Sequence, residues 1–218
     1  MVAYTQIQSF ANRGNALAAK YVGQSYNQYR PTSTTNPIIP ANLVGTLMVR
    51  AKPTTTTTPE PNVYGNAVWK KCIYDRTSVQ VGDYLVGPLG TFFVGAEQPL
   101  LPNVLVNCNR TIDIIRESSN GGANIAYNPN FYSGDGNRAN DTLFKQWPAS
   151  LITGHNNDMG LLSFDEKQAG CTVLLPNNVG MALWDDDIII DDTGRRMEIT
   201  SVEITDMGYR ISTSYVGV

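Results

Sequence analysis

Apolar positions recur at helical spacing in one stretch of the chain, near its start. Ile7, Phe10, Ala11, Gly14, Leu17, Ala18, Tyr21 and Val22 fall three and four residues apart, with Gln8, Asn12, Arg13, Asn15 and Lys20 off the stripe. That pattern is an amphipathic helix. It is expected within 5–27, with Thr5 as N-cap and an end near Gly23. Glycine costs a helix about 1 kcal/mol relative to alanine, so Gly14 in the stripe is expected to admit another backbone.

Beyond the helix the pattern changes to short apolar runs between turn residues. From Pro31 to Pro61 the chain is rich in Pro and Thr, with threonine at every position from 54 to 58. Such a stretch builds no large core of its own; it reads as an extended arm, interrupted by one strand at Leu43–Val49. Strands are expected at 66–74, 83–86, 91–95, 104–108, 110–115, 171–175, 188–190, 195–205 and 207–215. Gly87-Pro88-Leu89-Gly90, Asp192-Thr193-Gly194 and Asp206-Met207-Gly208 are the turns of hairpins. Residues 117–145, dense in Asn and Gly, read as a long polar insert. The expected architecture is therefore mainly β: a β-barrel or β-sandwich body over 62–218, preceded at 1–61 by an amphipathic helix and an extended arm. Asp83, Leu85 and Gly90 share their spacing with Asp187, Ile189 and Gly194. Ordinary hairpin chemistry explains that echo, and so do two related small barrels.

Composition narrows the function classes. Charged residues are 16% of the chain, against about 25% in ordinary soluble domains, and turn residues fill the deficit. The start lacks a basic region followed by an apolar block, so no signal peptide is expected. No apolar run reaches the roughly 18–20 residues of a membrane span. A soluble protein made in a cytoplasm is expected. Cys72, Cys108 and Cys171 stand far apart with no CxxC pair, which suits buried free thiols. His155 is the single histidine, and most hydrolytic schemes and zinc sites need more. There is no GxxxxGK[ST], no GxGxxG opening a helix and no GxSxG. Residues 135–146 miss the glycine and the bidentate acid of a calcium loop. No enzyme, cofactor or metal is expected. The run Asp185–Asp192 is expected to flank a short buried strand, with a hard cation as the alternative.

Charge is uneven along the chain. Residues 1–59 hold no Asp or Glu and a charge of +5, leaving −8 on the remainder. This fits ordinary surface variation; it also fits a bipolar molecule whose basic end meets the acidic end of a neighbour. Five dispersed cations make a poor DNA footprint. Tyr21, Tyr26 and Tyr29 beside Arg30 form the most interface-like patch, because Tyr and Arg are enriched at interface centres. With Phe10, Arg13 and Leu17 of the helix, they are the candidate subunit-interface residues.

Several segments together resemble a known family. These are Arg13-Gly14, Ala18-Ala-Lys-Tyr-Val-Gly23 and Tyr29-Arg-Pro31, then Tyr74-Asp75, Gly82-Asp-Tyr-Leu85 and Gly90-Thr-Phe-Phe-Val94. Gln98-Pro-Leu-Leu-Pro102, Cys108-Asn-Arg-Thr111, Asp187-Ile188 and Gly194-Arg195 complete the set. In this order they resemble neck proteins of tailed bacteriophages, the head–tail joining, collar or head-completion subunits. The resemblance covers most of the chain apart from 117–145. It implies a β-barrel-like subunit of a homo-oligomeric ring in the virion neck, between portal and tail proteins. DNA would pass through the lumen without being read, and no membrane is involved. The alternatives are a virion-surface receptor- or carbohydrate-binding module, with 117–145 as its site, and a capsid decoration protein.

Overall fold

In the computed structural model, which describes residues 2–52, 69–97, 100–117, 140–153, 170–177 and 182–216, the strands close into two six-stranded barrels. The first is built from β1 (Gln24–Tyr29), β2 (Leu43–Lys52), β3 (Trp69–Ile73), β4 (Tyr84–Gly87), β5 (Gly90–Ala96) and β6 (Asn103–Cys108). The second uses β7 (Arg110–Glu117), β8 (Asn140–Thr153), β9 (Gly170–Leu175), β10 (Ile188–Asp191), β11 (Arg196–Thr205) and β12 (Gly208–Tyr215). Around the first barrel the order is β1-β2-β3-β6-β5-β4, and around the second β7-β8-β9-β12-β11-β10. The orders are identical when six is added to each strand number. In both, the fourth strand returns to lie beside the first, a Greek-key path. The echo in the sequence is thus two barrels of one topology. Closure leaves no free strand edge for unwanted pairing.

Period-two alternation fills each barrel. Tyr26, Val49, Cys72, Leu85, Phe92, Val94 and Leu105 form the core of the first. Ile112, Ile114, Val173, Ile189, Met197, Ile199 and Ile211 belong to the core of the second. Some strands are apolar on both faces, and the second face makes the seam between barrels. Tyr84, Phe93 and Val106 alternate with first-barrel core residues yet cluster with the second barrel. The buried Tyr84 hydroxyl donates to the Pro148 carbonyl at 2.8 Å. Its ring lies 6.3 Å from Trp147, which in turn meets Phe144 edge-on at 4.9 Å. A single residue, Asn109, links β6 to β7, and its side chain exchanges two hydrogen bonds with the Leu151 backbone, at 2.8 and 2.7 Å.

Helix α1 (Val2–Val22) precedes the first barrel. It begins earlier than expected, so Thr5 lies inside it and is no N-cap. Its end agrees with expectation, with the Gly23 N–H bonded to Ala19 O. Among the described residues no helix is long and apolar enough to cross a membrane.

Two strands were not expected from the pattern. β1, Gln-Ser-Tyr-Asn-Gln-Tyr, turns only Tyr26 and Gln28 fully inward. β8 begins inside the polar insert and carries Pro148. The leading 1–61 segment is correspondingly less arm-like than its composition implies, since Gln24–Tyr29 and Leu43–Lys52 are staves of the first barrel. Between them, residues 30–42 strap the two barrels together. The Lys145 N–H donates to Thr34 O at 3.0 Å, and Asn42, itself buried, donates to Pro37 O. Residues 53–61 and 118–139 lie outside the described residues.

Trp147→Ala is expected to cost about 3–5 kcal/mol, and Tyr84→Phe about 1–2 kcal/mol by stranding the Pro148 carbonyl. Urea unfolding followed by tryptophan fluorescence, with circular dichroism as a second probe, measures both.

Candidate interaction surfaces

Each barrel buries one carboxylate at the entry to its fourth strand, and in each an arginine on or beside the adjacent first strand holds it. Asp83 is 1% exposed, and Asp187 2%. Asp83 accepts from Arg30 Nε and Nη2 at 2.9 and 2.8 Å, and from Gln28 at 2.6 Å. Asp187 accepts from Arg116 Nε and Nη2, both at 2.8 Å. Each also takes a backbone N–H three residues upstream, from Gln80 or Trp184. Each arginine reaches one further carbonyl, Ser78 O or Ala182 O. The surrounding backbone repeats too: Gly82 N bonds Val94 O, and Asp186 N bonds Ile199 O. A two-point guanidinium–carboxylate pair with these extra donors satisfies a charge that burial would otherwise penalise. These are fold clamps, and they place Arg30 in a structural role.

The acidic run is divided between structure and surface. Asp187 and Asp191 flank β10 as expected and are both consumed by donors. Burial works against charge on Asp191. Bonds from the Thr193 hydroxyl and N–H, the Arg195 N–H and the Arg195 guanidinium outweigh it. They hold its carboxyl down at about 2. Asp185 and Asp186 are exposed, while Asp192 approaches Arg110 at 3.5 Å. Among the described residues no cluster of His, Cys, Asp and Glu is arranged to hold a metal ion.

The helix turns its apolar stripe outward. Ile7, Phe10, Leu17, Tyr21 and Val22 are all exposed, Phe10 at 71% and Tyr21 at 78%. The opposite face meets the first barrel: Ala19 is buried, and Gln8, Ala11, Asn12, Asn15 and Ala16 are half-buried. Gln8 fixes this orientation by accepting the Leu100 N–H at 3.0 Å while donating to Asn12 at 2.9 Å. The small alanines let the helix sit close. Gly14 admits no other backbone; nothing lies within 4 Å of where its Cβ would be. Ile7, Phe10, Gly14, Leu17 and Tyr21 are spaced 3-4-3-4, the rhythm of a helix seam that packs against a partner.

The candidate interface residues therefore separate. Phe10, Arg13, Leu17 and Tyr21 are exposed on the helix. Tyr26, 1% exposed, is spent inside the first barrel, 6.2 Å from Phe92. Tyr29 is half-buried against the seam, and Arg30 clamps Asp83. The helical rhythm was legible; which side of the helix the barrel would take was not. Cys72 and Cys171 are buried free thiols as expected, and Cys108 is half-buried. Burial raises all three thiol pKa values. His155 and most of the 117–145 insert lie outside the described residues.

Charge divides between the barrels. Residues 1–108 carry 8 basic and 4 acidic side chains, and residues 109–218 carry 8 basic and 15 acidic. At the mouth of the first barrel, Gln24, Val49, Arg50, Ala51, Lys70 and Leu89 line a recess of about 350 Å³. The Lys70 ammonium lies 4.7 Å from the Phe92 ring centroid.

No protein-family model, curated protein or solved structure matches the chain.

Asp187→Ala is expected to cost about 3 kcal/mol, because it leaves the Arg116 guanidinium and the Trp184 N–H without their acceptor; chemical denaturation reads this directly. Asp191 predicts an acid dependence. Its folded pKa lies below the ordinary 3.8, so its contribution is full above that value and fades as the pH falls toward about 2. Asp191→Asn should therefore lower the thermal midpoint at pH 6, with the gap to wild type closing as the pH drops below about 4.

Proposed function

We propose that this chain is a structural, ring-forming subunit of the neck of a tailed bacteriophage, joining the portal region to the tail and letting DNA pass through its lumen. The observation that carries this reading is the outward apolar stripe of α1. Burying a large apolar side chain is worth about 1.5–3 kcal/mol, and α1 leaves Ile7, Phe10, Leu17 and Tyr21 in water while its polar face holds the barrel. A helix anchored this way is built to be covered by another subunit. The basic first barrel and acidic second barrel supply the orientation, since unlike faces attract and like faces repel. The order of motifs resembling neck proteins points the same way. Both barrels spend their buried acids on arginine clamps, which fits a scaffold.

The test is a chain lacking residues 1–22, which stops short of β1 and so spares the first barrel. It should keep the β circular-dichroism signature, lose its oligomer in sedimentation velocity, and yield heads without attached tails when it replaces the intact chain during infection. Normal particles from the truncated chain would overturn the reading. Exchanging Phe10 and Leu17 for Asp should reproduce the assembly defect while changing the stability of the isolated chain by less than about 0.5 kcal/mol per site.

A further inference from the structure

The two barrels act as controls for each other at one position. The turn entering β4 reads Gln80-Val81-Gly82, and its counterpart entering β10 reads Trp184-Asp185-Asp186. Both make the same backbone hydrogen bonds onto the fifth strand. Both place their last residue at positive φ, Gly82 at 90° and Asp186 at 73°. Glycine adopts that conformation freely, and other residues do so uncommonly. The second barrel has thus kept the turn and loaded it with an indole and two carboxylates. All three side chains are exposed. Trp184 remains 60% exposed although the Arg116 guanidinium covers one side of its ring at 3.7 Å from the centroid.

The opposite chemistry sits at the mouth of the first barrel. The recess there has a buried apolar floor, Val49 and Ala51, an exposed apolar edge, Leu89, and two cations in its lining, Arg50 and Lys70. Among the described residues neither cation has a carboxylate partner, and Lys70 rests over the Phe92 ring. An apolar pocket with a cationic rim complements an apolar knob with an anionic tip. The net imbalance of the two barrels attracts in the same sense.

We propose that the Trp184–Asp186 turn of one copy seats in the first-barrel mouth of the next, with the indole against Leu89 over the Val49–Ala51 floor and the carboxylates toward Arg50 and Lys70. The contact rests on the reading of the chain as self-assembling, and it gives that assembly a direction. It joins two different surfaces, so it propagates head to tail and closes into a ring when the rotation per copy allows. The helix seam would then be a second, separate contact.

Sedimentation velocity of the full chain tests this with a charge exchange. Lys70→Glu and Asp185→Lys should each weaken self-association by roughly tenfold or more, and combining them in one chain should restore it. Trp184→Ala should weaken it without altering the circular-dichroism spectrum, which covers the case of a Lys70 variant that fails to fold. Asp186→Gly should raise the thermal midpoint while weakening association, a pairing that a merely structural turn would not produce. Wild-type association in Asp185→Lys and Trp184→Ala would overturn the contact; loss of association in the helix variants alone would then leave the oligomer reading standing. A wild-type chain that stays monomeric at every concentration would remove both.

Discussion

A buried carboxylate locks each barrel, and the rest of the architecture is arranged around satisfying it. Asp83 and Asp187 sit where the chain crosses from one half of a Greek key to the other, the point at which a six-stranded barrel must be closed. Each gathers an arginine from the first strand of its barrel or the residue beside it, and a backbone N–H from the preceding turn. The clamp therefore ties together the two strands whose pairing completes the cylinder, β1 with β4 and β7 with β10. Without the guanidinium the carboxylate would be a buried charge with too few donors. With it, the charge is matched and the two closing strands are cross-tied.

The second constraint is the seam. Strands β4, β5 and β6 are apolar on both faces because they serve two cores at once. Tyr84 and Leu85 are adjacent and both wholly buried, one against each barrel. Aromatic contacts from Tyr84 through Trp147 to Phe144 carry the packing across. The strap at 30–42 crosses from the first barrel to β8 of the second. The polar, turn-rich composition of the chain reflects this plan, since short strands and tight connections leave little room for long apolar runs.

Much of this was legible in the residues. Strands β3 to β7 and β9 to β12 announce themselves by apolar runs between turn glycines, and the Asp83/Asp187 echo marks the shared topology. What escaped has physical reasons. β1 is a strand because its neighbours pair with it; Gln28 is buried only because Asp83 and Ser78 take its amide. β8 holds Lys145, Gln146 and Pro148, residues that argue against a strand until bulges and a tyrosine donor accommodate them. The helix shows the limit most clearly. Periodicity locates an apolar stripe, but it cannot say whether the stripe faces its own core or a partner. Here a glutamine and a few alanines decide, and the stripe faces out. The mouth of the first barrel was equally hidden, because Gln24, Arg50, Lys70 and Leu89, far apart in sequence, line one recess only once the barrel has closed.

Asn109 is the whole of the connection between β6 and β7. One residue spans the two cylinders, and its amide is pinned at both ends to Leu151. A linker of that length carries little slack, and the strap at 30–42 and the Tyr84–Trp147 contact add two further ties between the cylinders. Turning one cylinder against the other would have to break packed side chains and backbone hydrogen bonds together.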